Sequence, residues 1–223
     1  MNNFLFSISL PFRWLRKFHR KRKLLYGVNP ASSLGLEIGP LDKPVIKRGE
    51  GRPIFYADIA SKEILMQRCH DDPNVVLANV RHVDFVWGSE PLRKTIPASF
   101  AFDYVIASHV IEHATDMIGW LNQIAEVMKP HGILSLAIPD KRFTFDRERE
   151  TTTIDQLVEA HAVSGISKDQ SGVSWAHNFV FTFDTFREIV RALCCNGTIP
   201  FQILALYRPV RWSLEFIVIL QRL

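Results

Sequence analysis

Short apolar runs separated by polar turns dominate the pattern of this chain of 223 residues. Four runs, at 34–38, 54–57, 104–107 and 133–138, are typical of buried parallel strands, which are covered on both faces and show little alternation. Segment 81–86 fits a further strand between the second and third of them. Two last runs, 201–206 and 216–220, follow each other closely enough to form a hairpin. The pattern therefore predicts seven strands.

Helix signals lie between the predicted strands. Ser61 is in position to cap a helix over 62–69, and a second helix, over 117–128, ends before Pro130. A third helix begins at Phe183 and extends to about residue 193. Strands that alternate with helices predict an α/β fold. We expect a seven-stranded, mostly parallel sheet with helices on both faces and an antiparallel C-terminal strand pair.

The segment at about 141–182 shows no helical or strand period. It is rich in charged and hydroxyl side chains and lies between the fifth strand and the next core helix. Long insertions of this kind in compact domains are usually functional. We interpret the segment as a lid-like insertion over a substrate site.

The net charge of +4 is unevenly distributed along the chain. Seven basic residues lie between Arg13 and Lys23, and no acidic residue precedes Glu37. The rest of the chain holds 20 basic and 23 acidic residues. Because this body is slightly acidic, a nucleic-acid-binding face on the fold is disfavoured. We therefore separate a basic amphipathic N-terminal segment, 1–26, from a domain, 27–223.

Two interpretations of segment 1–26 stay open. Its apolar start is too short to span a bilayer, and its charge follows that run, unlike a secretory signal. The segment either packs on the domain as a helix with solvated basic heads, which we slightly favour, or lies on an anionic membrane surface. An odd number of cysteines without CxxC spacing indicates a reducing compartment. We expect a cytoplasmic protein, peripheral at the membrane under the second interpretation.

Residues 102–140 carry the most informative pattern. An apolar strand is followed by a turn with two histidines and a glutamate, then by a helix and another apolar strand. This stretch resembles the middle of class I S-adenosylmethionine-dependent methyltransferases of the type 11 kind, in which the motifs are FDxVxxxxVxEH and LKPGGxL. The matching residues are Phe102-Asp103-Tyr104-Val105, Val110-Ile111-Glu112-His113 and Met128-Lys129-Pro130-His131-Gly132-Ile133-Leu134. The resemblance implies a Rossmann-like fold and S-adenosylmethionine as cofactor, with domain 27–223 as the methyltransferase domain.

The resemblance also implies a cofactor site at the end of the first strand. Glu37 and Gly39 stand where the family has an acidic residue shortly before a glycine. Gly39 would let the backbone approach the cofactor, and Glu37 is placed to accept a hydrogen bond from the methionine amino group. The usual further glycines are absent, and Pro40 has no N–H. A pyrophosphate needs a GxGxxG turn with free N–H groups, so a nicotinamide-dependent oxidoreductase is disfavoured.

Further cofactor contacts are expected after the next strands. Asp58 follows strand two, where a carboxylate suits a ribose diol, although a plain turn aspartate is the competing interpretation. Ser89 and Glu90 are placed to meet the adenine amine, with a surface loop as an equal alternative. Ser108, at the end of strand four, completes the predicted cofactor-binding set.

Three positions are candidates for catalysis. His109 follows strand four, Asp140 ends strand five, and His177 lies in the lid-like insertion. A neutral imidazole accepts a hydroxyl proton near neutral pH, so His109 is the preferred base. Turn and packing roles for Asp140 and His177 are at least as well supported.

His109, Glu112 and His113 share one face at helical spacing, which is compatible with a divalent metal. With no further ligand evident, we favour a structural role for Glu112 and His113 and expect no metal.

The sequence thus favours methyl transfer from S-adenosylmethionine to a small-molecule or glycan acceptor, at oxygen. The main alternative is a methyltransferase-like binding or membrane-associated accessory protein without catalysis. The sequence lacks a proline-proline-tyrosine tetrapeptide, a catalytic motif of nucleic-acid methyltransferases. Together with the acidic body of the chain, this disfavours nucleic acid as the substrate.

Overall fold

A computed structural model describes residues 10–49, 51–164, 177–210 and 213–223. Its seven strands form one sheet, in which the order is β3-β2-β1-β4-β5-β7-β6. The strands are β1 Gly35–Ile38, β2 Ile54–Asp58, β3 Phe85–Val86, β4 Phe102–Ser108, β5 Met128–Pro139, β6 Phe201–Tyr207 and β7 Glu215–Arg222. The first five run parallel, and β7 pairs antiparallel with both β5 and β6. The predicted fold class is confirmed.

Helices cover the sheet, and the two faces have separate cores. The helices are α1 Leu10–Leu24, α2 Lys62–Arg68, α3 Leu92–Thr95, α4 Met117–Val127, α5 Ile154–Ser164 and α6 Phe183–Cys195. The larger core joins alternate residues of β1 and β4, such as Leu36 and Val105, to the buried sides of α4 and α6. The smaller core lies on the opposite face, where Tyr56, Tyr104 and Ile133 pack with Leu24 of α1. The alternation of strand side chains produces this division.

The close packing at β1 depends on a missing side chain. A Cβ atom on Gly35 would lie 2.1 Å from Cζ of Tyr104, which is fully buried on the neighbouring strand. Any larger residue at position 35 would displace this ring from the smaller core.

Helix α1 packs on the domain through its C-terminal turn. Leu24 has no exposed surface and belongs to the smaller core. Arg20 forms two hydrogen bonds to Glu215 at the start of β7, of 2.5 and 3.0 Å, and one of 2.6 Å to Ser108 Oγ. The packed-helix interpretation describes this end of α1. Residues 1–9 lie outside the described part of the chain, so membrane contact by segment 1–26 stays a prediction.

Several local predictions need correction. The segment at 141–182, in which we found no period, contains the helix α5. Ser61 occupies the N-cap of α2, but its hydroxyl bonds to Glu63 rather than to the helix backbone. Strand β5 starts five residues before the predicted position 133, at Met128. His131, which replaces a family glycine, adopts a left-handed φ of 63° that glycine would adopt without strain.

Among the described residues, none of the helices has the length and apolar character needed to cross a membrane.

Removing the buried side chain of Leu24 tests the packing of α1. We expect Leu24→Ala to lower the free energy of unfolding by about 2–5 kcal/mol, because it leaves a cavity in the smaller core. Chemical denaturation monitored by circular dichroism measures the change. Phe18→Ala, on the same helix but 51% exposed, is the control and should change stability far less. Equal effects of the two variants would contradict the packed arrangement.

Candidate functional site

A pocket lies at the carboxyl edge of the sheet, between the loops that follow β1, β2 and β4. Its volume is about 740 Å³, open solvent at its mouth included. We call it the edge pocket. Its lining comprises Ile38, Gly39, Asp58, Ile59, Trp87, Gly88, Val110, Ala114, Thr115, Asp116, Trp120, Gln123 and Ser164. Ligands of open α/β sheets bind at this edge.

Gly39 shapes the floor of the edge pocket. Its φ is +64°, and a Cβ atom there would lie 2.7 Å from Cγ2 of Val110. The glycine thus permits both the left-handed turn after β1 and the close approach of the loop after β4. Gly39 belongs to the lining of the edge pocket, and its approach to a cofactor stays a prediction.

Asp58 provides a carboxylate in the edge pocket. It is 8% exposed and accepts a hydrogen bond of 2.8 Å from the N–H of Ile59. Burial raises its pKa to about 6, although the N–H groups of Ile59 and Leu41 oppose this rise. A carboxylate with few partners in a partly enclosed pocket favours ligand hydroxyl groups that donate to it.

Aromatic side chains form one wall of the edge pocket. The rings of Trp87 and Trp120 stack with centroids 5.9 Å apart and an angle of 18°. Ser89 and Glu90, predicted to meet adenine, follow directly but are exposed, and Glu90 pairs with Lys94 at 3.3 Å. Their cofactor contacts stay predictions, since the lining extends only to the adjacent Gly88.

Glu37 lies outside the lining of the edge pocket, on the other face of β1. Its carboxylate accepts hydrogen bonds from the N–H groups of Val45 and Ile46, at 2.6 and 3.1 Å. Burial raises its pKa to about 7. These contacts hold the loop after β1 against the smaller core. The contact of Glu37 with a methionine amino group stays a prediction.

A second group of polar residues surrounds His109, beside the edge pocket. His109 has a left-handed φ of 58°, and its Nε2 lies 2.8 Å from Oε2 of Glu215. Burial acts to raise the pKa of Glu215, but hydrogen bonds from His109 and Arg20 outweigh it and hold the pKa at about 2. Ser108 accepts a hydrogen bond from Arg20 on the α1 side of the sheet, and its contact with a cofactor stays a prediction.

Three more donors lie next to His109. The ligand atoms of Glu112, His113 and His177 all lie within 4.8 Å of one another, and we call these residues the histidine cluster. Glu112 has no exposed surface, and burial raises its pKa to about 7 while His109 opposes the rise. His177, predicted to be catalytic, is therefore brought beside the loop after β4, and Asp146 contacts its Nδ1 at 2.5 Å.

Asp140, the third predicted catalytic residue, is fully buried at the end of β5. One carboxylate oxygen accepts from the backbone N–H and Nε of Arg142, at 3.2 and 2.8 Å. The other accepts from Nη2 of Arg142 at 2.7 Å and from the N–H of Phe183 at 3.1 Å. These four bonds anchor the turn after β5 and the start of α6. Chemistry at Asp140 stays a prediction.

Sequence reasoning missed several residues of this region. Glu215 starts a strand that runs antiparallel, so the rule that polar groups follow strand ends does not find it. Arg20 lies in a run of basic residues that looks solvated. Trp120 reads as an ordinary core residue of α4. Asp146 stands in a charged segment, and no spacing signal separates it from its neighbours.

Comparison with known proteins identifies the family. A sequence profile described as "Methyltransferase domain" matches residues 14–192. Two curated relatives, both named ubiquinone biosynthesis O-methyltransferase and from two strains of Rhodopseudomonas palustris (TIE-1 and ATCC BAA-98 / CGA009), are 30% identical over 124 residues. The match covers 55% of this chain and 45% of each relative, so the chain aligns with less than half the length of those proteins.

Solved structures agree on the fold. Magnesium protoporphyrin IX methyltransferase (ChlM) from Synechocystis PCC 6803, crystallised with SAM, is 13% identical and superposes with a TM-score of 0.51, covering 100% of this chain and 86% of that one. The glycopeptide N-methyltransferase MtfA is 13% identical with a TM-score of 0.50, covering 92% and 89%. The profile match shows that the chain belongs to the methyltransferase-domain family, and the order of its strands shows that it has the class I fold of S-adenosylmethionine-dependent enzymes.

Proposed function

We propose that this protein transfers a methyl group from S-adenosylmethionine to a hydroxyl oxygen of a small-molecule or glycan acceptor. The observation that carries the proposal is the edge pocket, in which Gly39 follows β1, Asp58 ends the adjacent parallel strand β2, and the loop that begins with His109 contributes Val110. A cofactor pocket and a candidate base are thus neighbours at one edge of the sheet.

The residues of the edge pocket fit an adenosyl group. The carboxylate of Asp58 is placed to accept from two adjacent ribose hydroxyls. Trp87 and Trp120 offer an apolar aromatic wall for a base, and Ser89 and Glu90 are close in sequence to that wall. A Cβ atom at Gly39 would fill the space between the loops after β1 and β4. The carboxylate, the aromatic wall and the shape of the pocket therefore suit this cofactor.

When bound, S-adenosylmethionine supplies an electrophilic methyl group on a sulfonium. The protein's part in such a displacement is to align the acceptor and to exclude water. Ile38, Val110 and the two tryptophans provide apolar walls. Helix α5 of the lid-like insertion contributes Ser164 to the same lining, which supports the proposed closing role of that segment.

His109 is the proposed base. Because the pKa of Glu215 is held low, its ionised carboxylate accepts from Nε2–H of His109, and in the neutral ring this leaves Nδ1 as the proton acceptor. Arg20 fixes Glu215 through two hydrogen bonds. Glu215 is thus a positioning residue, which sets the orientation and tautomer of the imidazole. Asp140 and His177 stay alternative orienters of the acceptor.

The proposed acceptor class rests on the curated relatives and on the resemblance found in the sequence. The curated relatives are named ubiquinone biosynthesis O-methyltransferase, and this name favours oxygen in a small molecule. The sequence comparison extends over only part of those proteins, and the glycan alternative rests on the resemblance found in the sequence. A screen of hydroxylated small molecules and glycans for a mass increase of one methyl group distinguishes the two.

The first functional prediction concerns Asp58. Asp58→Ala should weaken S-adenosylmethionine binding at least about tenfold, since each charge-assisted hydrogen bond contributes roughly 1.5–3 kcal/mol. Isothermal titration calorimetry gives the dissociation constant. Asp71→Ala, whose side chain is 99% exposed, is a matched control and should bind normally. Unchanged affinity in folded Asp58→Ala would remove the ribose assignment.

The raised pKa of Asp58 adds a pH dependence. Ribose hydroxyls donate to the ionised carboxylate, so binding favours ionisation, and affinity should fall as the pH drops below about 6. Without ligand the sign is opposite: a folded pKa above the ordinary 3.8 means that stability decreases as the pH rises from 3.8 towards 6. Asp58→Asn should remove this pH dependence of binding and the part of the stability trend that comes from Asp58. Binding titrations and thermal unfolding of the wild type and the variant at several pH values measure both differences.

The second functional prediction concerns His109. His109→Asn keeps a residue that tolerates the left-handed backbone but removes the base, and turnover should fall roughly 10²–10⁴-fold. Cofactor affinity should stay near that of the wild type. Glu215→Gln should lower kcat less, with little change in KM for the cofactor. His70→Ala removes an exposed imidazole and serves as the control. Full turnover in His109→Asn would transfer the role of base to another group.

A further inference from the structure

We propose that the histidine cluster, Glu112, His113 and His177, binds one divalent transition-metal ion of the Zn²⁺ type. The site lies beside the edge pocket and joins two parts of the chain, the loop after β4 and the end of the lid-like insertion. It is independent of the proposed methyl transfer, because metal binding is measurable without any acceptor.

The spacing of the donors suits a metal after small side-chain rotations. Nε2 of His113 is 4.0 Å from Oε1 of Glu112, and the ligand atoms of all three residues lie within 4.8 Å of one another. Two donors bound tetrahedrally to Zn²⁺ at about 2.0–2.1 Å stand roughly 3.4 Å apart. Closing the cluster therefore needs shifts of about an ångström, which side-chain rotation supplies.

The carboxylate of Glu112 is the feature that points most directly to cation binding. Its side chain is 0% exposed, and neither carboxylate oxygen has a hydrogen-bond partner. Its near neighbours are imidazole nitrogens, with Nδ1 of His109 at 3.7 Å and Nε2 of His113 at 4.0 Å. A buried carboxylate without a hydrogen bond or a paired charge is strongly disfavoured. A bound cation would satisfy this carboxylate.

His177 already has the hydrogen-bond partner that a metal-binding histidine usually has. Oδ2 of Asp146 contacts its Nδ1 at 2.5 Å, and Arg149 holds the other oxygen of Asp146 at 2.7 Å. Because Asp146 accepts from Nδ1–H, Nε2 carries the lone pair. A carboxylate that hydrogen-bonds the remote nitrogen is the usual support for a metal-binding histidine, because it fixes the tautomer and increases ligand basicity.

The backbone also holds the two parts of the site together. The N–H groups of Asn178 and Phe179 donate to the carbonyl of Glu112, at 2.8 and 3.0 Å. The side-chain amide of Asn178 donates to the carbonyl of His113 at 2.9 Å. His177 is thus placed next to Glu112 and His113 by bonds that do not involve the donor atoms. The backbone of the site is therefore preorganised, and only the side chains need to move.

Two imidazoles and one carboxylate select the kind of ion. This donor set suits Zn²⁺ and related transition metals, whereas Mg²⁺ and Ca²⁺ prefer oxygen ligands. Three protein ligands leave one tetrahedral position for water or another oxygen ligand. The spacing along the chain brought Glu112 and His113 together with His109 as possible ligands, but it could not add His177, which is 64 residues from His113. Our expectation of no metal rested on the absence of a further ligand.

Metal titration of the full-length chain tests the proposal. Protein stripped with a chelator is titrated with Zn²⁺ by calorimetry, and with Co²⁺ by visible absorption, which reports nitrogen and oxygen coordination. We expect one saturable equivalent and a rise in melting temperature with Zn²⁺. The absence of saturable binding would overturn the proposal.

Matched variants locate the ion. Asp146→Asn should weaken Zn²⁺ binding about 10–100-fold through loss of ligand orientation, and Glu112→Gln and His177→Ala should weaken it further. His70→Ala should bind normally. Circular dichroism confirms folding, and the two ligand variants provide independent tests if one fails to fold. Wild-type affinity in folded Glu112→Gln and His177→Ala, as expected for an ion held by the three cysteines, would refute the site.

Discussion

The cost of burying a carboxylate governs the organisation of this sheet edge. Among the described residues, six acidic side chains are less than one-tenth exposed: Glu37, Asp42, Asp58, Glu112, Asp140 and Asp146. A buried carboxylate needs hydrogen bonds or an opposite charge. Glu37 and Asp140 obtain theirs from neighbouring backbone and Arg142, so they fasten loops. Asp58 has fewer partners and faces a pocket, and the carboxylate of Glu112 has no hydrogen-bond partner. Asp58 and Glu112 thus lack the partners that the fold provides for Glu37 and Asp140, and their carboxylates are the ones that we expect to bind ligands.

Much of the fold followed from the sequence because its strongest signals are local. Buried strands are continuous apolar runs, and the parallel ones end in polar residues at a shared edge, so the positions of Gly39, Asp58 and His109 could be predicted together. The partners of those residues could not. Glu215 reaches the edge from an antiparallel strand, and His177 reaches it from a segment without periodicity. Contacts of this kind depend on tertiary packing, which residue spacing does not encode.

The loop after β1 shows how one motif can serve two needs. Residues 42–46 pass under the sheet, where Ile46 enters the smaller core and the backbone of Val45 and Ile46 binds Glu37. Gly39 meanwhile turns the same loop towards the edge pocket. The acidic residue of the motif therefore stabilises the base of the loop while the glycine shapes its ligand-facing side. A residue matched to a family motif can thus have its polar atoms committed to structure.

Arg20 has a practical consequence for anyone preparing the protein. One guanidinium connects α1 to Ser108 at the end of β4 and to Glu215 at the start of β7, and Glu215 in turn contacts His109. A shortened sample that begins after α1, chosen because the first residues look like a detachable basic tail, would lack this connection and also Leu24. Its histidine would sit in altered electrostatic surroundings. Inactivity of such a sample would result from the loss of α1 and would not show that the intact protein is inactive.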